Sequence, residues 1–368
     1  MERTRSGEYP TAGNGVRRNG GFAPVANDFG EASRIMTRTE VVGVAPVSGA
    51  PVGDGRMGPP AHGGPARAAV PYPGAPHVAA AVDPRVRGVA DPGTRTAPPA
   101  NPVDALIATL RRDLGRSRVL AFVNPKGGVH KTTACVLTAA TLGSARGRGV
   151  LAWDDNELRG TLGLRAGTAR HARTIRHLVK DLDEVEASGI HLAERLDEYL
   201  RYSADGSFDV LSGDEDPRVA RKLDPQTVRR VLNLLTRTHD IVCVDTGNNV
   251  ESPNWKTIIQ ASDQLVVTTV PREDAAFSAD WMLDLLIEEG LGHMVSEAVT
   301  LISCPTPNRT QLHDDLVAHF SMRTRAVVVV PYDPALEPGS MIEYSALQPA
   351  TRMAWLRAAA TCIERFTQ

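Results

Sequence analysis

The run Lys126-Gly127-Gly128-Val129-His130-Lys131-Thr132-Thr133 constrains this chain more than any other feature. It follows Arg118-Val119-Leu120-Ala121-Phe122-Val123, whose unbroken apolar stretch reads as a buried strand, and it leads into residues 134–142, which read as the start of a helix. Strand, glycine-rich loop and helix in that order make a phosphate cradle, because backbone N–H groups and the positive end of the helix dipole converge on an anion. In such a loop Lys131 reaches the β- and γ-phosphates of a nucleotide, and the Thr132 hydroxyl ligates Mg2+. One lysine suffices for that task, yet Lys126 places a second at the leading edge. The chain has only five lysines (126, 131, 180, 222 and 256) beside 36 arginines, so two of the five falling within this loop is a strong coincidence.

These residues resemble the deviant Walker A box, Lys-Gly-Gly-X-Gly-Lys-Thr-Thr, of the ParA/MinD family of dimerising ATPases. The resemblance implies that residues 126–133 bind ATP with Mg2+ and that Lys126 crosses a sandwich homodimer to the partner's nucleotide. Position 130 departs from the pattern, with His where the family has Gly. Gly suits that place because the backbone closely approaches the phosphate and takes φ > 0. His is among the residues that tolerate positive φ, at a cost of about 1–3 kcal/mol when strained. Nucleotide binding is therefore expected to persist, with the imidazole either turned away or adding a donor near the γ-phosphate.

Two strand ends supply carboxylates. His239-Asp240-Ile241-Val242-Cys243-Val244-Asp245 resembles the family's Walker B strand, which implies that Asp245 holds Mg2+ through a water. Val150-Leu151-Ala152-Trp153-Asp154-Asp155-Asn156-Glu157 aligns with the family's Asp-X-Asp switch, where the first Asp supports the metal and the second polarises the attacking water. Asp154 fills the first place, but Asn156 stands in the second. A neutral amide orients a water, yet it cannot accept a proton from it. ATP hydrolysis is therefore expected to be slow or stimulated by a partner, or to borrow Asp155 or Glu157. The resemblance thus implies a catalytic set of Lys126, Lys131, Asp154 and Asn156 and a metal set of Thr132, Asp154 and Asp245.

The remaining sequence predicts the fold around this site. Apolar runs at 118–123, 150–154, 208–211, 241–245, 264–269, 298–302 and 326–330 are continuous rather than alternating, and helical segments separate most of them. A parallel sheet covered on both faces reads this way, so the expected fold is α/β, a doubly wound, mainly parallel sheet of about seven strands. Residues 101–368 would form this ParA/MinD-like P-loop domain, with a leading helix at 101–116, helices near 174–183, 190–201 and 225–236, and a closing helix at 352–366. In residues 1–100, roughly 30% are Pro or Gly, a composition that cannot offset its ordering entropy. That stretch is expected to be a disordered tail, either an inert tether or a docking segment.

Four widely spaced cysteines lack metal-ligand spacing and read as reduced thiols. No apolar stretch reaches the roughly 18 residues of a membrane span, no signal core opens the chain, and the closing helix lacks the character of a membrane anchor, so a cytoplasmic location is expected. The net charge of −2 carries no nucleic-acid signature. Basic residues nevertheless recur at Arg165, Arg170, His171, Arg173, Arg176, His177 and Lys180, and again at Arg218, Arg221, Lys222, Arg229, Arg230 and Arg237. ParA-like dimers bind DNA non-specifically through such arginines, and a solvated helix face is the competing reading.

Together these features lead to a nucleotide-timed, dimerising switch that partitions, positions or assembles a cargo: a replicon, a polar complex, or a secretion or conjugation machine. An activating partner protein is implied. ParA-like proteins with a long Pro-rich N-terminal extension also occur beside type VII secretion systems, a resemblance of layout. A non-catalytic ATP-binding scaffold of such a machine is the alternative, favoured by His130 and Asn156. A metabolic ligase on the same fold has no use for Lys126.

Overall fold

The computed structural model describes residues 101–156, 160–167, 173–213 and 223–367. The expected tail at 1–100, Glu157, and the basic residues Arg170, His171, Arg218, Arg221 and Lys222 lie outside the described residues. The apolar runs form strands β1 (Arg118–Val123), β2 (Val150–Asp155), β4 (Asp209–Leu211), β5 (Ile241–Thr246), β6 (Gln264–Thr269), β7 (Val299–Ser303) and β8 (Ala326–Val330). An eighth strand that the sequence did not announce, β3 (Arg201–Tyr202), adds two residues at one edge. The order is β3-β4-β2-β5-β1-β6-β7-β8, and only the β3–β4 pairing is antiparallel.

Alternate residues of each strand feed opposite faces, as the pleat requires. Leu120 and Phe122 of β1 join the helices Pro102–Arg111, Lys131–Arg146 and Pro349–Ile363 in one core. Val119, Ala121 and Val123 join Pro225–Thr238, Pro253–Ala261 and Glu273–Glu288 in the other. Both faces are therefore dry, which is why the strands carry unbroken aliphatic runs. The chain leaves β1 in one direction to reach β2 and later crosses to β6 on the other side. That reversal of winding opens a crevice at the carboxyl ends of the central strands.

Helix boundaries refine the expectations. Asn101 caps the leading helix by accepting from the Val103 N–H at 3.2 Å, and Pro102 sits in its first turn. The helix stops at Arg111, short of the expected residue 116, because Arg112 is extended and Asp113 closes a turn onto the Gly115 N–H at 2.9 Å. Gly147, at φ 80°, ends the helix Lys131–Arg146 by turning left-handed and donating back to the Gly143 carbonyl. The expected helices near 174–183 and 190–201 are short pieces, Ile175–Lys180, Leu182–Ala187 and Leu192–Asp197. The closing helix begins earlier than expected because Pro349 occupies its first turn, where its missing N–H costs nothing. It packs into the core through Trp355, Leu356 and Ile363, consistent with a structural role. Among the described residues no helix is long and apolar enough to cross a membrane. All four cysteines are free; three are buried, and burial pushes the Cys243 and Cys362 thiols up.

Candidate functional site

The loop after β1 opens into the crevice and is fixed from behind. Asn124, fully buried, donates to the Thr268 carbonyl at 2.8 Å and accepts from the Lys126 N–H at 2.9 Å. The loop is thereby pinned to the neighbouring β6 before it turns. Gly127 to Thr133, together with Asn156, Asp245, Thr246 and Asn248, line a cavity of about 250 Å3. His130 takes φ 64°, ψ 26° as the N-cap of the following helix, and it is the one non-glycine residue with positive φ among the described residues. The expectation that this place demands a left-handed backbone is met. His130 makes no side-chain cap, so the first N–H groups of the helix are not capped by it and the dipole faces the cavity. Burial, and then the charge of Arg165, hold the His130 imidazole below its ordinary pKa.

Lys131 and Thr132 meet the end of β5. Thr132 Oγ1 donates to Asp245 Oδ2 at 2.6 Å. Lys131 Nζ donates to Asn248 Oδ1 at 2.5 Å and to the Lys126 carbonyl at 3.1 Å. Asp245 lies opposite Asp154 in the β2–β5 register, placing two buried carboxylates on adjacent strands. Burial raises both pKa values, and the charge of Asp154 raises that of Asp245 further. Burial also pulls Lys131 down, with Asp245 opposing. A buried cation beside two mutually repelling carboxylates is poised to take a ligand that brings both phosphate and metal.

Asp154 does not line the cavity. Its oxygens accept the N–H groups of Asn156 at 3.1 Å and Leu162 at 3.0 Å, so it organises the segment that follows β2. A Cβ at Gly160 would come within 2.4 Å of Asp154 Oδ2, which explains a glycine there. Asn156 lines the cavity. Asp155, the last residue of β2, is buried and pairs in register with Thr246 of β5.

Thr132, Asp245 and Asp154 are all oxygen donors, the type suited to Mg2+. Among the described residues no group of three or more His, Cys, Asp or Glu forms a metal site. A magnesium ion here would therefore depend on one or two protein oxygens together with the phosphates it accompanies, the usual arrangement for nucleotide-bound magnesium.

Lys126 reaches sideways. Its ammonium pairs with Asp274 at 3.1 Å in the first turn of the helix Glu273–Glu288, and Arg272 shares that carboxylate at 2.7 Å. Of the expected basic surface, Arg165 is buried and Arg230 is tied to Asp183 and Glu186. Arg173 pairs with Glu198 at 3.3 Å. Arg173 and Arg230 are thus offset by neighbouring carboxylates.

Sequence reasoning missed Asn124, Asn248 and the Asp274 partner of Lys126. Asn248 carried a weak signal, a small polar residue just past the Asp245 strand end. The other two depend on chain segments brought together only by the sheet.

No family model matches the chain. Over 264 residues it is 26% identical to the ESX-1 secretion-associated protein EspI of Mycobacterium tuberculosis, a match covering 71% of this chain and 38% of that protein. The chain therefore spans well under half the length of that relative. Among solved structures, a ParA family ATPase from Chlorobium tepidum superposes with a TM-score of 0.52 at 17% identity, over 68% of this chain and 97% of that one. The septum site-determining protein MinD of Pyrococcus horikoshii, solved with Mg-ADP, gives 0.51 at 18% identity, over 66% and 94%. The crevice, the loop and the strand order therefore assign this chain the fold of the ParA/MinD ATPases.

Proposed function

We propose that this protein binds ATP with Mg2+ through residues 126–133 and works as an ATP-dependent dimerising switch with weak or partner-stimulated hydrolysis. The observation that carries this reading is the meeting of Lys131, Thr132 and Asp245 at one loop mouth, with the Thr132 hydroxyl 2.6 Å from the Asp245 carboxylate. Lys131 would neutralise the β- and γ-phosphates, while Thr132 and Asp245 hold the metal, with Asp154 behind them. The metal would supply charge stabilisation on the transferred phosphoryl group. Asn156 would orient the attacking water without taking its proton.

Dimerisation is the role proposed for Lys126, whose pairing with Asp274 would be exchanged for the nucleotide of a partner subunit. That exchange is inexpensive, since an exposed pair contributes only about 0–1 kcal/mol. A secretion machine is the favoured cargo because EspI, a relative over 71% of this chain, is described as secretion-associated. Non-specific DNA binding through the arginine-bearing helices is proposed only as a secondary property. Residues 1–100 are proposed as a tail outside a domain of residues 101–368.

The second reading, a non-catalytic ATP-binding scaffold, is favoured by Asn156 at the water-polarising place. A single-turnover ATPase assay with and without DNA, run beside light scattering, separates the two. Phosphate release coupled to dimer dissociation supports the switch. A persistent ATP-bound dimer without turnover supports the scaffold, and absence of nucleotide binding defeats both.

A further inference from the structure

One cation beside the loop has no place in the strand–loop–helix motif. Arg165, in the short helix Leu162–Ala166, is only 8% exposed. Its Nη2 donates to Thr133 Oγ1 at 2.9 Å and its Nη1 to the Ser340 carbonyl at 3.0 Å. Both acceptors are neutral, and among the described residues no carboxylate pairs with it. A guanidinium carries five N–H donors, and these two bonds leave Arg165 with capacity for a further acceptor, though none of its nitrogens is both buried and without a partner. Desolvating a full charge against neutral partners is unfavourable for the empty protein, and such charges persist where a counter-charge arrives with a ligand.

The surroundings say which ligand. Thr133 belongs to the cavity wall and to the first turn of the helix whose positive end faces the cavity. Burial, and then the nearby charge of Arg165, hold the His130 pKa down, and an imidazole supplies no counter-anion to the guanidinium. Arg165 thus stands directly behind Thr133 in the wall of the cavity that Lys131 and the helix dipole also face, with the Asp245 carboxylate taken up by Thr132. A second set of contacts ties Arg165 to the loop after β8: the Ile342 N–H donates to its carbonyl at 2.8 Å.

We propose that Arg165 is a nucleotide-binding residue whose guanidinium donates to a phosphate oxygen of a nucleoside di- or triphosphate held by the loop. The proposal rests on the nucleotide-binding reading above. Thr133 follows Lys131 and Thr132, which serve the terminal phosphates and the metal, so Arg165 acts on the phosphates nearer the nucleoside. Its contribution therefore extends to ADP. Because Arg165 also binds Ser340 and Ile342, nucleotide occupancy would tighten the 339–342 loop against the segment that follows β2.

The test compares the full chain with Arg165→Met, Arg165→Lys and Lys131→Ala, measuring ADP and ATP affinity by calorimetry and the melting temperature without nucleotide. Arg165→Met should weaken both nucleotides about ten- to hundredfold, the range of a charge-assisted hydrogen bond. Its nucleotide-free melting temperature should hold or rise, because an uncompensated buried charge is gone. Arg165→Lys should recover part of the affinity. A fall in melting temperature with unchanged affinity would overturn the proposal in favour of a structural strut. A loss seen with ATP but not ADP would overturn the placement. If Lys131→Ala abolishes binding while Arg165→Met binds as wild type, the Arg165 proposal alone fails; if the wild type binds neither nucleotide, the nucleotide reading fails with it.

Discussion

The ends of β5 and β2 lie side by side and behave differently. At and just past the end of β5 two polar groups engage the loop: Asp245 takes the Thr132 hydroxyl, and Asn248 takes the Lys131 ammonium. At the end of β2 the carboxylate turns inward, with both oxygens of Asp154 spent on backbone N–H groups, and the residue facing the cavity is a neutral amide, Asn156. One strand end has the chemistry for gripping a magnesium nucleotide, and the other shapes a segment without offering a base. On the proposed function, holding and cleaving would fall to separate strands, and the second could weaken while the first persists.

The largest expected effect tests the gripping side. Lys131→Ala removes the cation from the β/γ-phosphate position, and ATP affinity should fall by about a hundredfold or more, given about 1.5–3 kcal/mol for each hydrogen bond to a charged group. Titration with a fluorescent ATP analogue on protein checked by circular dichroism reads this directly. Undiminished affinity would erase the contrast between the two ends.

Next in size is Lys126→Ala, which should leave nucleotide affinity of the monomer within about twofold, since its present partner, Asp274, is an exposed surface pair. The ATP-induced dimer should disappear in light scattering. An unchanged dimer fraction would confine Lys126 to its own chain.

On the β2 side, Asn156→Asp should raise turnover at saturating ATP by at least about tenfold, within the 10²–10⁴ range of a general base. A flat rate in a wild type that already hydrolyses briskly would assign the work elsewhere, with Asp155 and Glu157 the next candidates.

Much of this comparison is legible in the amino-acid sequence. The loop, the order of Asp154 and Asp245, and the parallel sheet follow from local patterns, because unbroken aliphatic runs and a glycine-rich turn carry their own geometry. The leading helix was overextended because its stop lies in the Asp113–Gly115 turn rather than in any break of apolar spacing. Helical spacing reads Arg165 as a surface cation, because it does not reveal that Thr133 and Ser340 close over it. The antiparallel β3 escaped notice since two residues are too few to show periodicity.

Two smaller effects sharpen the contrast. Asp245→Asn should raise the melting temperature of the nucleotide-free protein by about 2–4 °C for each kcal/mol of repulsion with Asp154 that it relieves, while the stabilisation given by magnesium nucleotide is lost. A fall in melting temperature would show that the Thr132–Asp245 hydrogen bond outweighs that repulsion. His130→Gly should be the mildest, because relief of the left-handed backbone, about 1–2 kcal/mol, is partly offset by the greater freedom of glycine in the unfolded chain. Differential scanning calorimetry should show a small rise, with affinity slightly improved and turnover little changed. A clear loss of affinity would mean that the imidazole contributes a contact to the nucleotide.

The facing carboxylates of β2 and β5 have a consequence for the life of the protein in a cell. A chain that stores repulsion at its centre until a ligand arrives is most exposed to proteases just after synthesis. A ligand in hundredfold excess over its dissociation constant adds about 2.7 kcal/mol to the folded state. The quantity of this protein that survives would then follow the supply of magnesium nucleotide, and starvation would thin its population before any signal reached it.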